Sequence, residues 1–331
     1  MDAAVLVVAA NEECPRPQTA EHLAAADLMN LGRYVVIQNK VDLVSEEDAR
    51  KSYLDIRTFT QGTGAERSPV IPISAQLGYN VDVVCQYIVE QVPEPEHNLS
   101  LPPLLNVIRS FDVNKPGAPF EELKGAVMGG VLESGLLRIG QRIEIRPGLI
   151  RAKEDGSRYY QPLYSRVVSL LSDTNPLTHA IPGGLIGVGT LLDPSLGKND
   201  GLVGQVVGVE GSLPEVFQEV EVKYRLFRRL IGTAEGEKVE EMKAKENVLL
   251  HVGGNSAVGV VTAVKAKTHR LIIKLTHMPI CAREDQRVAF SRHAGKDHWR
   301  LVGFGRLTRN CRRMPRAAAA DPLLDPSPTA L

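Results

Sequence analysis

A parallel α/β domain followed by two all-β barrels is the fold class this sequence predicts, and three observations predict it. The first hundred residues alternate apolar strand-like runs with helix patterns three times over. That is the texture of βα units on a parallel sheet with right-handed crossovers. The stretch P-E-P-E-H-N-L-S-L-P-P, Pro93 to Pro103, reads as a proline-studded linker. From Leu104 the chain turns to short alternating runs punctuated by glycine, such as L-L-N-V-I-R-S-F-D-V and G-A-V-M-G-G-V-L-E-S-G. Frequent short strands with turn signals mark barrels or sandwiches.

The elements follow in order. Ala3 to Ala10 is an unbroken apolar run, suited to a central parallel strand buried on both faces. Asn11 to Gln18 is a loop with two prolines, and Thr19 is a fitting N-cap for a helix over Ala20 to Leu31, which Gly32 ends. Tyr34 to Ile37 is a buried strand. Ser45 caps a helix from Glu46 to Thr60, with Glu46, Glu47 and Asp48 favourable in its first turn. Pro69 to Ala75 is a third strand, and Asn80 or Asp82 starts a helix through Val92. Residues 1–92 thus form the first domain and 93–103 the linker. Barrels are expected at 104–212 and 218–310, the second carrying a charged, exposed insertion at Thr233 to Asn247. Residues 311–331 are Ala/Pro-rich and read as a disordered tail.

Composition narrows the class. With 331 residues, 43% hydrophobic and 24% charged, the chain is a globular protein of two or three domains. No apolar stretch reaches membrane-spanning length and no basic segment precedes the first strand, so the cytoplasm is the expected compartment and no membrane partner is expected. Cys14, Cys85, Cys281 and Cys311 are scattered, as free thiols of a reducing compartment are. The histidines show no ligand spacing, so no metal site is read. Asp112, Asp193 and Asp200 show no carboxylate pairing, so no acid/base pair is read. A net charge of zero hides an asymmetry. Residues 1–100 carry seven Lys/Arg against fifteen Asp/Glu, a net of −8, and residues 283–316 carry ten Lys/Arg against three Asp/Glu, a net of +7. An acidic front and a basic end suit different partners.

The second strand ends in N-K-V-D, with Asn39, Lys40 and Asp42 just past its carboxyl end, where open α/β sheets bind ligands. The Asp42 carboxylate can accept from both N1–H and the 2-amino group of guanine. Adenine lacks that pair of donors and would leave the carboxylate unpaired, which discriminates strongly. Asn39 can approach the O6/N7 edge and brace the neighbouring loop, and the Lys40 stem can cover the base face. A polar strand-end loop with no ligand is the plain alternative for four residues alone. Ser74-Ala75-Gln76 ends the next strand one unit later. There the Ala75 backbone N–H can donate to guanine O6 while Ser74 orders the loop. Two loops on adjacent strands, one reading donors and the other the acceptor, favour a guanine pocket.

N-K-V-D, then S-A-Q, a linker and two barrels resemble a translational GTPase. The stretches C-P-R-P-Q-T-A-E-H-L-A-A, S-A-Q-L-G-Y-N-V-D-V-V, R-S-F-D-V-N-K-P-G, P-G-G-L-I-G-V-G-T-L-L-D-P and H-W-R-L-V-G-F-G resemble the gamma subunit of eukaryotic and archaeal translation initiation factor two, over about residues 1–308. The runner-up, the selenocysteine-specific elongation factor, fits R-S-F-D-V-N-K-P-G and S-A-Q-L-G-Y-N less well. The resemblance implies GTP or GDP as ligand and GTP-dependent delivery of initiator methionyl-tRNA to the small ribosomal subunit, with alpha and beta subunits as partners. It also implies that the first domain is the later half of a GTPase-type domain. Neither G-x-x-x-x-G-K-[ST] nor D-x-x-G occurs in the sequence, so the phosphate loop, the switches and the Mg²⁺ site are expected to be missing from this chain. The expectation is an N-terminally truncated copy, inactive alone, with Met1 at an internal methionine of the family, and with an unpaired, sticky edge on its first strand. The alternative is a non-catalytic paralogue that binds tRNA or a subunit without a nucleotide switch. Arg283, Arg287, Arg292 and Arg300 are the candidate tRNA contacts, given their clustered positive charge. Trp299 reads as a core residue.

Overall fold

The computed structural model describes residues 3–28, 31–227, 238–294 and 298–317. Its contacts divide it into two compact units. The first is Met1–Glu96 with Phe227–Glu240 and Arg300–Val302, and the second is the remainder.

The first unit holds β1 (Ala3–Ala9), α1 (Pro17–Leu28), β2 (Arg33–Asn39), α2 (Glu46–Thr60), β3 (Val70–Pro72) and α3 (Val81–Gln91). The strands form one three-stranded parallel sheet in the order β1-β2-β3. β2 is central and buried from Tyr34 to Gln38, as a two-sided apolar strand should be. Ser45 caps α2 as its sequence predicts, its Oγ accepting from Asp48 N–H at 3.2 Å. Gln38 Nε2 donates to Ala49 O at 2.8 Å and ties α2 to the strand it follows.

Two expectations need correction here. β1 lies at an edge and is buried on one face only. Val8 packs with Leu23, Tyr34, Val36 and Ile56, while Val5 and Val7 are 48% and 54% exposed. The other apolar cluster, Val35, Ile37, Ile71, Ile73 and Val84, is built from β2, the β3 segment and α3, and β1 has no share in it. α1 starts at Pro17 rather than after a Thr19 cap. Ala20 N–H already bonds to Arg16 O at 3.0 Å, and proline suits a first helical position, which needs no N–H.

The second unit begins with β4 (Leu104–Phe111), β5 (Val127–Ser134), β6 (Leu137–Arg138), β7 (Arg142–Ala152), β8 (Arg158–Arg166), β9 (Ser169–Ser172), β10 (Asn175–Leu177), β11 (His179–Ala180), β12 (Leu185–Gly189) and β13 (Val206–Gly208). Eight of these pair in the order β10-β9-β12-β5-β4-β13-β7-β8 around one core that includes Val107, Met128, Leu132, Ile143, Leu163 and Val188. Next come β14 (Glu215–Leu226), β15 (Asn247–Val252), β16 (Asn255–Lys265), β17 (Arg270–Leu275), β18 (Ile280–Ala282), β19 (Arg287–Ala294), β20 (His298–Leu307) and β21 (Arg312–Arg313). Here β17-β16-β15-β19-β20-β14 closes on itself through the β14–β17 ladder, a six-stranded barrel. β20 approaches β14 closely because Gly305 lies there. A Cβ at that position would sit 2.3 Å from Lys223 O.

Three more expectations are corrected in this unit. Of the insertion Thr233 to Asn247, residues 233–237 lie outside the described residues, and Val239 and Met242 are buried rather than exposed. The tail is ordered as far as Ala317: β21 pairs with β14, and Met314 is 5% exposed in a core cluster. Residues 318–331 lie outside the described residues. Trp299 is 36% exposed, with its ring edge-on to His293 at 5.1 Å, so it is not a core residue.

Candidate guanine-binding site

The predicted base-reading residues meet at the carboxyl ends of β2 and β3. Asn39 is the last residue of β2, and Lys40 turns the chain with φ 62°. That left-handed conformation directs the strand into the short turn Val41–Leu43. Asn39 Oδ1 accepts two backbone N–H groups, from Lys40 at 2.8 Å and from Ala75 at 3.1 Å. One side chain therefore joins the N-K-V-D loop to the S-A-Q loop, and its amide NH₂ has no partner among the described residues. Ser74 is buried, with its Oγ accepting from Leu77 N–H at 3.2 Å, and an antiparallel bridge to Tyr79 closes the loop. Ala75 and Gln76 are exposed at the loop tip.

Asp42 is exposed, and its carboxylate has no partner among the described residues. Lys40 Nζ is 3.9 Å from Glu12 Oε1, and Glu12 in turn pairs with Arg16 at 3.3 Å. The loop after β1 thus borders the base-reading residues, which the register Ala9↔Asn39 brings about. The Ala75 N–H, read from sequence as the donor to O6, is engaged by Asn39. A base oxygen would have to share it.

The basic stretch is largely spent on neighbouring acids. Arg292 pairs with Glu246. Arg300 donates to Glu21 at 2.6 Å, and Arg306 to Asp285 at 2.6 Å. Arg309 faces Glu284 at 3.4 Å and Arg313 faces Glu215 at 3.3 Å. Arg287 opens β19 and is exposed, and the Arg283 side chain is exposed with no partner among the described residues.

A polar cleft of about 720 Å³ in the second unit went unread in the sequence. Asp112, Asp193 and Asp200 all line it. Asp200 meets Arg109 at 3.0 Å and Asp112 meets Lys198 at 3.4 Å. Backbone N–H donors, Asn114 to Asp112 and Ser110 to Asp200, hold both carboxyls below the usual range, with the cations adding to the effect. The aspartates come from segments some ninety residues apart, and no spacing rule links such segments.

The parallel sheet with the N-K-V-D and S-A-Q loops at its carboxyl edge, joined in one chain to a closed six-stranded barrel, defines a protein of the translational GTPase class. Residues 1–94 match the family model for the elongation factor Tu GTP binding domain. Residues 218–307 match that for initiation factor eIF2 gamma, C terminal. The chain belongs to the gamma-subunit family of eukaryotic translation initiation factor 2. It is 47% identical over 312 residues to eukaryotic translation initiation factor 2 subunit 3 of Drosophila melanogaster, covering 93% of this chain and 65% of that protein. It is 47% identical over 311 residues to the subunit gamma of Schizosaccharomyces pombe, covering 93% and 69%. Two structures of translation elongation factor SelB from Methanococcus maripaludis share the fold. The apo form has a TM-score of 0.71, and the complex with the GTP analogue GPPNHP has 0.72. Both are 19% identical and cover 93% of this chain and 65% or 66% of theirs.

Proposed function

We propose that Asn39, Lys40, Asp42, Ser74, Ala75 and Gln76 hold the base of GTP or GDP, in a cytoplasmic translation initiation factor that delivers initiator methionyl-tRNA to the small ribosomal subunit with alpha and beta subunits. The Asn39 bridge carries this reading. It pre-orders both loops and leaves an amide donor for N7, beside an unpartnered Asp42 carboxylate suited to N1–H and the 2-amino group. The residues present fit the base. They supply no phosphate cradle, because no G-x-x-x-x-G-K-[ST] run occurs in the 331 residues. When bound, a nucleotide with its metal would supply a phosphoryl group, and no step of its transfer is assigned to this chain. Competition binding of GDP and ADP to the full chain tests the reading. GDP should compete and ADP should not. D42N should weaken GDP by about ten- to hundredfold, the effect of losing one charge-assisted pair. Equal competition by ADP would overturn the guanine assignment.

Arg283, Arg287, Arg292 and Arg300 remain the proposed RNA-facing residues, with Arg292 and Arg300 needing to release Glu246 and Glu21 first. In a second reading, the barrels bind tRNA or a partner subunit without a nucleotide switch. In that case tRNA affinity would be the same with and without GDP.

A further inference from the structure

The segment after the last barrel strand touches in turn the six-stranded barrel and the eight-stranded sheet of β4–β13, the expected first barrel. Arg312 and Arg313 pair with Glu219 and Phe217 of β14. Met314 N–H donates to Val216 O at 2.8 Å, and Arg313 Nη1 faces Glu215 at 3.3 Å. The chain then leaves β14. Tyr160 N–H donates to Pro315 O at 2.9 Å, and Ala317 N–H donates to Tyr160 O at 2.8 Å, so residues 315–317 lie against β8 of the first barrel. Between these points Met314 fills a cluster shared by Leu104, Tyr160 and Val206 on one side and Val216 and Cys281 on the other.

We propose that residues 312–317 are a strap that holds the two barrels in one fixed arrangement, with Arg316 as its locking residue. Arg316 Nη2 reaches Glu144 Oε1 at 3.3 Å and donates to the Tyr164 hydroxyl. Glu144 is fully buried and also takes two donors from Arg146, at 2.7 and 3.1 Å, and Gly211 N–H at 2.9 Å. Arg146 Nη1 in turn donates to Leu213 O at 2.9 Å and Pro214 O at 3.0 Å, in the connection between the barrels. One buried carboxylate therefore gathers the strap, the connection and β7. Parting the barrels at this seam would strip a partner from a buried charge and expose Met314, and both are unfavourable.

Amide hydrogen exchange on the full chain tests the strap. Arg316 is 42% exposed, so R316Q leaves every core filled. R316Q should speed exchange by about tenfold both at Tyr160, in the first barrel, and at Met314, whose N–H bonds to the second. M314A should do the same from the other end of the strap. R312A, at an exposed side chain without a partner among the described residues, should leave both sites unchanged. A response to R316Q confined to residues 316–317 would overturn the proposal. So would a response to M314A confined to β14, or an R312A response equal to that of R316Q.

Discussion

At the scale of single residues, the most instructive carboxylate is Glu221. Its side chain is 2% exposed on β14 and accepts from Lys265, Arg270, Thr308 and Asn310 at 2.6–3.2 Å. Burial alone pushes its carboxyl up, but the donors outweigh burial and hold it down at about 2. A carboxyl lowered from its ordinary 4.5 contributes stability that is fully present above that value. The contribution is lost as pH falls from about 4.5 toward 2. E221Q should therefore cost about 2 kcal/mol at neutral pH, discounted for the half-exposed lysine and arginine, and should flatten the acid limb of the stability curve. Urea unfolding at pH 7 and pH 3 checks this, and an unchanged acid limb in E221Q would exclude the role. Sequence alone cannot single out Glu221, because its partners come from three separate segments. The N-K-V-D run can be read from sequence because Asn39, Lys40 and Asp42 lie within four residues at one strand end, and its guanine role is the proposal that D42N tests.

At the scale of elements, β1 is the weak point. Its seven residues, A-A-V-L-V-V-A, carry no charge. Among the described residues its only strand partner is β2, and Val5 and Val7 are exposed. An apolar strand edge without charged guards invites pairing with another chain. The purified chain should self-associate, and V7K should lower light scattering at equal concentration. Scattering unaffected by V7K would point to a different surface. The same strand shows the limit of pattern reading. A continuous apolar run signals two buried faces, but the helices that cover the faces are supplied by the sheet as a whole. Where a rule is local, as with the Ser45 cap and the three acids after it, the element begins where the sequence says.

At the scale of the whole molecule, charge is the test. If the basic end binds RNA, affinity should fall linearly with the logarithm of salt concentration. R283A should reduce that slope by about 1. R292A should in addition lower stability, since that side chain pairs with Glu246. A salt slope indifferent to R283A would remove this arginine from the interface. A count of charges along the chain gives +7 for residues 283–316, but the fold returns acids to them from as far away as Glu21, Glu144 and Glu215. The alternation of strands and glycines announced a strand-built second half, in which the structure closes one six-stranded barrel. The docking of the tail was hidden, because one methionine and one arginine in an alanine-rich stretch give no period to read.

Asn39 has a consequence for motion. Because its one oxygen accepts from both Lys40 and Ala75, a single side chain links the two loops, and a base engaging one of them would also steady the other.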